Sequence, residues 1–273
     1  MKKKLFIPIL FIVLATTGIN AQYRDTNLKY TFPQFWTETG HYFTTPLHWG
    51  GTDFLMLGSL AAGTAIALAV EKPAPDITNG NFTTRLFYNS FPAKFGNFYG
   101  GLWTPFILFG GYGGYSLITG DIKARKIAYE IGQADLYAAA IVVALKYSVG
   151  RARPYMNLGK SSFFNFSLKN DGFHSFPSGH CTEAFAMSTV LMMNTDDIWW
   201  KILAYIPAPF TIFSRYYQGY HWLSDCILGA GIGFFTAKWC ADAHGRIDDP
   251  AGQKTGSLEI KSLWPFTLSY AFN

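Results

Sequence analysis

Arg215, His221 and Asp225, in the stretch SRYYQGYHWLSD, are the kinds of groups needed to hold a phosphate and attack it. Two blocks precede them: KYSVGRARP, from Lys146 to Pro154, and PSGH, from Pro177 to His180. A phosphate ester resists hydrolysis because negative oxygens shield its phosphorus. A catalyst therefore needs fixed cations and N–H donors around those oxygens, an in-line nucleophile, and an acid to protonate what leaves. Lys146 and Arg153 are separated by about two helical turns, so one side of a helix end can present both. Arg215 adds a planar guanidinium fork that suits phosphate oxygens. Ser178 and Gly179 fall at a helix start, where unpaired backbone N–H groups and the helix dipole favour an anion and glycine lets the backbone come close. His221 and Asp225, spaced i, i+4, share a helix face, so the carboxylate can hold one ring nitrogen protonated while the other attacks phosphorus. That leaves His180 to give a proton to the leaving oxygen.

Helices must carry these groups to one place. The chain has 273 residues, enough for one substantial domain, and is 49% hydrophobic but only 14% charged, against about 25% in an ordinary soluble domain. Apolar runs at Phe54–Val70, Leu102–Thr119 and Ala134–Val149 read as helices, the first stopped by Glu71-Lys72-Pro73. Three more follow: Thr182–Met193, Ile198–Phe213 with a bend at Pro207 and Pro209, and Trp222–Ala241. Gly110, Gly111, Gly113 and Gly114, and again Gly229, Gly231 and Gly233, suit close helix approach. Lys123, Arg125 and Lys126 read as a short polar link. Residues 155–176 form a loop long enough to be functional. Met1–Ala21 has the lysines, apolar run and small-residue end of an export signal, or serves as an uncleaved anchor. The expected organisation is a signal (1–21), an N-terminal extension (22–53), a helical domain (54–244) and a tail (245–273) that is irregular or β-like over Leu258–Phe272.

The charge of +5 is scattered and not interleaved with aromatics as a nucleic-acid surface requires. The odd set Cys181, Cys226 and Cys240 makes no complete disulfide framework and reads as small buried hydrophobes. His41, His48 and His244 read as satisfied core histidines, and His174 as a loop residue. Trp199, Trp200, Trp222 and Trp239 sit near helix ends, where an interfacial belt and core packing both account for them.

Lys146-x6-Arg153-Pro154, Pro177-Ser178-Gly179-His180 and Ser214-Arg215-x5-His221-x3-Asp225, in that order, resemble the signature of the type 2 phosphatidic acid phosphatase (PAP2) and vanadium haloperoxidase superfamily. The resemblance covers about residues 130 to 240. It implies that His221 is a nucleophile forming a phosphohistidine, Asp225 its orienting partner and His180 the general acid. Lys146, Arg153, Arg215, Ser178 and Gly179 would bind the phosphate, with no metal ion or other cofactor. The implied fold is an all-α bundle, with six transmembrane helices in the lipid phosphatases.

The expected function is hydrolysis of phosphate monoesters or diphosphates of membrane lipids, such as phosphatidic acid, phosphatidylglycerol phosphate, undecaprenyl diphosphate or lipid A. The expected location is the inner membrane, with the site facing the periplasm. A secreted soluble acid phosphatase and a vanadium-dependent haloperoxidase are the other readings of the same core. Apolar runs of about 10 to 18 residues are short for a bilayer. Moreover, a signal cleaved after residue 21 leaves the chain outside, so an outward-facing site needs an even number of crossings before Arg151, where three apolar runs stand.

Overall fold

The computed structural model of the protein describes residues 30–72, 87–164, 166 and 170–248. The expected signal and the expected strands of the tail lie outside the described residues. The helices are α1 (Phe32–Thr44), α2 (Gly51–Val70), α3 (Phe91–Tyr99), α4 (Trp103–Thr119), α5 (Ile122–Val149), α6 (Gly179–Met193), α7 (Ile198–Tyr205), α8 (Pro207–Tyr217) and α9 (Leu223–Asp248). No strand occurs among the described residues, only an isolated antiparallel bridge between Arg151 and Phe163. The all-α expectation stands. The count of six does not describe these residues, because α1 and α3 join the apolar helices foreseen.

Three boundaries differ from the sequence reading for local reasons. The residues Lys123, Arg125 and Lys126 are not a link but lie in the first two turns of α5, whose N-cap Asp121 accepts from the Ala124 N–H at 3.0 Å. The expected fifth helix divides at Ile206 into α7 and α8, with Pro207 and Pro209 in the first turn of α8, where a missing N–H costs little. The sixth runs on to Asp248, past the point where a tail was expected.

The core lies between α5, α6 and α9. Every third or fourth residue of α5 faces it: Ile127, Ile131, Ala134, Ala138, Ile141, Val142 and Leu145 are buried. On α9 the glycines permit backbone contact. A Cβ at Gly229 would lie 2.4 Å from the Ser178 carbonyl oxygen, and one at Gly233 would lie 2.1 Å from that of Thr182. The α4 glycines do not play this part: Gly110, Gly111 and Gly114 have open space around them, and Gly113 only touches Ala128.

The helices alternate in direction about one end of the molecule. There α2 ends at Glu71, α5 at Val149 and α8 at Arg215–Tyr217, while α6 and α9 begin there. The turn from α3 into α4 lies at the same end, since a Cβ on Gly100 would come within 2.6 Å of the His180 carbonyl. At the opposite end, His244 of α9 is fully buried between Glu130 of α5 (3.0 Å) and Glu38 of α1 (3.2 Å). His244 is therefore a charged clamp, and His41 and His48 are exposed at the surface. The imidazole's acidity falls, its pKa rising to about 9: burial opposes this, and the two carboxylates outweigh it.

Among the described residues, two helices are long and apolar enough to cross a membrane, Gly51–Val70 at mean hydropathy 1.8 and Ile122–Val149 at 1.3. Their 20 and 28 residues exceed the short runs read from the sequence.

Candidate active site

The loop after α5 brings the first block to the start of α6. Its backbone folds back on itself: the Arg153 N–H donates to the Gly172 carbonyl (2.8 Å) and the Ser175 N–H to that of Arg151 (3.0 Å). This places Ser175 beside the segment between α8 and α9, where His221 sits almost wholly buried.

His221 Nδ1 lies 2.7 Å from the Ser175 carbonyl oxygen. A carbonyl only accepts, so Nδ1 carries the proton and Nε2 keeps its lone pair. That free nitrogen faces Arg153 Nη1 at 3.4 Å. Asp225 is 3.7 Å from Nδ1, beyond hydrogen-bond reach, so the backbone of Ser175 takes the bond that the i, i+4 spacing suggested for the carboxylate. Asp225 is instead saturated by other donors: the Trp222 N–H (2.8 Å), the Ser175 hydroxyl (2.5 Å) and Arg151 Nη1 (2.5 Å). Burial pushes His221 down to about 4, with Asp225 opposing the shift and Lys146 and Arg153 adding to it. The ring is neutral at pH 7.

Around this imidazole stand the basic groups from three elements. Lys146, on the last turn of α5, donates to the His174 carbonyl at 2.7 Å. Arg153 is held by the Asp171 carbonyl (2.9 Å) and by its exposed carboxylate (2.7 Å). Arg215, on α8, is held by Asn97 Oδ1 (2.5 Å) and by Gln218 Oε1, and lies over the Tyr220 ring. Its buried Nε–H has no hydrogen-bond partner, a donor left open where an anion oxygen can satisfy it.

Ser178 is the N-cap of α6 and accepts from the Cys181 N–H. Its own N–H goes to the Asp225 carbonyl (3.0 Å), so among the first amides of α6 those of Gly179 and His180 are the ones lacking a helical partner by position. His180 follows on the same turn. Burial first, then the basic neighbours Arg215, His221, Arg153 and Lys146, push it down to about 3. Positive charge converging on a neutral imidazole at a helix N-terminus describes a cage for an anion.

The matching region of the chain coincides with this cage. Residues 133–248 match the family model for the PAP2 superfamily. Over this stretch the chain is similar to the PAP2 superfamily. Over 102 residues the chain is 34% identical to the lipid A 1-phosphatase of Porphyromonas gingivalis, which covers 36% of this chain and 22% of that protein. Over 122 residues it is 30% identical to the undecaprenyl-diphosphatase of Sulfolobus acidocaldarius, covering 42% and 56%. The chain thus spans about a fifth and just over half of the length of these curated relatives. No solved structure matches it.

Several residues of this candidate site were not foreseen. Arg151 lies inside the first block yet is fully buried away from the cage, between Asp225 and Glu71 (both 2.5 Å). Asn97, Asp171 and Gln218 hold the two cage arginines. Only Arg151 had a visible signal, a second arginine two positions before Arg153. The three cysteines are free and buried, as read from the sequence. Trp222 and Trp239 are buried in the core, whereas Trp199 and Trp200 are exposed.

Proposed function

We propose that the protein is a phosphoric ester hydrolase that removes phosphate from a membrane lipid through a phosphohistidine. The observation that carries this reading is the fixed tautomer of His221, with Nδ1–H tied to Ser175 and Nε2 unprotonated beside Arg153. In the first step Nε2 forms a bond to phosphorus, the bond from phosphorus to the leaving oxygen breaks, and His180 gives that oxygen its proton. In the second step water attacks the phosphohistidine, His180 takes the water's proton, and the P–N bond breaks to release phosphate. Lys146, Arg153, Arg215 and the amides of Gly179 and His180 neutralise charge on the phosphoryl oxygens in both steps.

A lipid substrate fits the outer surface. Leu117 and Ile118 of α4 are 83% and 87% exposed, and Leu55, Ile66 and Val70 of α2 and Ile198 and Trp199 of α7 are also open, an apolar girdle that suits a bilayer. The lipid phosphates named by the two relatives, lipid A and undecaprenyl diphosphate, are the first substrates to try, with the site at the periplasmic side of the inner membrane.

The test is phosphate release by protein purified in detergent from a panel of lipid and water-soluble phosphates. Wild type turns over a lipid phosphate, alkaline quench traps a phosphoenzyme, and His221→Ala loses about three orders of magnitude or more in kcat together with the phosphoenzyme. Equal rates for wild type and His221→Ala on every substrate would overturn the reading. Extraction of membranes with carbonate leaves the protein in the pellet.

A further inference from the structure

Behind His221, on the side away from the cage, lies a buried set of charges that the phosphoryl transfer just described does not use. Glu71 ends α2, outside the PAP2-matched residues. Its carboxylate is wholly buried, and both oxygens are engaged: Oε1 accepts from Arg151 Nη2 (2.5 Å), and Oε2 accepts from the Ser224 N–H (2.9 Å) and hydroxyl (2.8 Å). The other end of the Arg151 guanidinium reaches Asp225 (2.5 Å) and the Ser224 hydroxyl (2.8 Å). Its Nε and Nη2 donate to the Lys160 carbonyl, which closes the site from the loop side. Two carboxylates and one guanidinium leave one net negative charge, desolvated, 3.7 Å from His221 Nδ1 at its nearest oxygen.

Such a buried triad is a poor source of stability, because desolvation offsets most of the attraction and apolar residues of similar shape serve as well. Its position has a chemical use. When Nε2 bonds to phosphorus, the imidazole becomes cationic while Lys146 of α5, Arg153 after it and Arg215 of α8 stand around it, with neutral His180 of α6 beside them. That positive charge needs a carboxylate behind it that is not already neutralised. If Arg151 served Asp225 alone, the two would cancel.

We propose that Glu71 is a positioning residue that acts through Arg151, sharing the guanidinium so that Asp225 keeps its negative charge toward His221 and its plane fixed against Ser175 and Trp222. This rests on the hydrolase reading above. Glu71 touches neither substrate nor His221. Its effect is electrostatic and appears in the nucleophile.

The test is Glu71→Gln in the full chain, with vanadate and inorganic phosphate as probes. Vanadate bonds to a nucleophilic imidazole and phosphate does not, so weakening the nucleophile separates the two. Expected for Glu71→Gln are a fall in kcat of about tenfold with KM little changed, vanadate inhibition weaker by about the same factor, and phosphate inhibition unaltered. The acid limb of the kcat/KM profile moves to lower pH by about one unit. The sign follows from the neutral ring being the nucleophile: with less negative charge behind it, His221 protonates less readily. Glu71→Asp keeps the charge and holds the limb at its wild-type position.

Parallel loss of vanadate and phosphate binding, an unmoved acid limb, or failure of both variants to fold would overturn the proposal and make Glu71 a structural residue. Wild type reports separately on the hydrolase reading, through phosphate release and through tighter binding of vanadate than of phosphate. The two failures are thus read from different measurements.

Discussion

Burial and four basic neighbours oppose protonation of His180 and push its pKa down to about 3. The general acid proposed above needs the proton, and a bound phosphate would supply the means to hold it. A phosphate dianion among Lys146, Arg153 and Arg215 replaces repulsion by attraction and raises the His180 pKa toward or above its ordinary value. Phosphate binding at pH 6 to 7 is therefore expected to take up close to one proton, read by calorimetry in buffers of different ionisation enthalpy, and His180→Asn is expected to abolish the uptake. Release of protons, or uptake unchanged in His180→Asn, would refute this. At this scale the sequence was most informative about which side chains gather: His180, His221, Lys146, Arg153 and Arg215 fall in blocks of recognisable spacing and stand together in the structure. It was silent where the partner is a backbone atom or a distant side chain. The Ser175 carbonyl, which fixes the His221 tautomer, has no side-chain signature, and Glu71 lies 80 residues from Arg151.

Among the helices, the contact of α6 with α9 sets the position of Ser178, the N-cap that the proposed mechanism turns toward the phosphate. Gly229→Ala drives a methyl against the Ser178 carbonyl, and Gly233→Ala drives one against that of Thr182, one turn further from the cage. Both are expected to cost about 1–3 kcal/mol of stability through overpacking. Gly229→Ala should also lower kcat well beyond Gly233→Ala, because it displaces Ser178, whose N–H and hydroxyl organise the first turn of α6. Gly110→Ala, with nothing within 4 Å, serves as the control and should match wild type in thermal midpoint and rate. Equal rates for the two α9 variants would show that Ser178 tolerates the shift. The apolar cores of the helices were legible from hydropathy, but the ends were not. Expected from Ala134, α5 begins at Ile122 because Glu130 and Gln133, polar in the sequence, are buried against His244, Asn194 and Glu38 from other parts of the chain. A local pattern cannot show a partner 114 residues away.

For the whole molecule, the direction of α2 fixes a relation between its two faces. Its 20 residues run about 30 Å from Gly51 to the Glu71 contact at the site, so the segment before α2 and the loop after α5 lie at opposite ends. In a membrane this predicts opposite sides. Leu47→Cys and Leu158→Cys, both at exposed positions, are expected to react with an impermeant maleimide from opposite faces of sealed vesicles. The three native cysteines are buried and add little background. Labelling of both from one side would rule out α2, α4 and α5 as three successive passes.

The carboxylates of Glu38 and Glu71 lead to a last consequence. Each comes from a helix ahead of residue 133, and each pairs with a charge within the matched stretch: His244 for one, Arg151 for the other. An excised piece starting at the family boundary would keep the candidate site residues, yet His244 would lose both of its carboxylates, Glu130 as well as Glu38, and Arg151 would be left with Asp225 alone. The matched stretch thus draws its buried counter-charges from outside itself, and the seam at its start runs through three salt links.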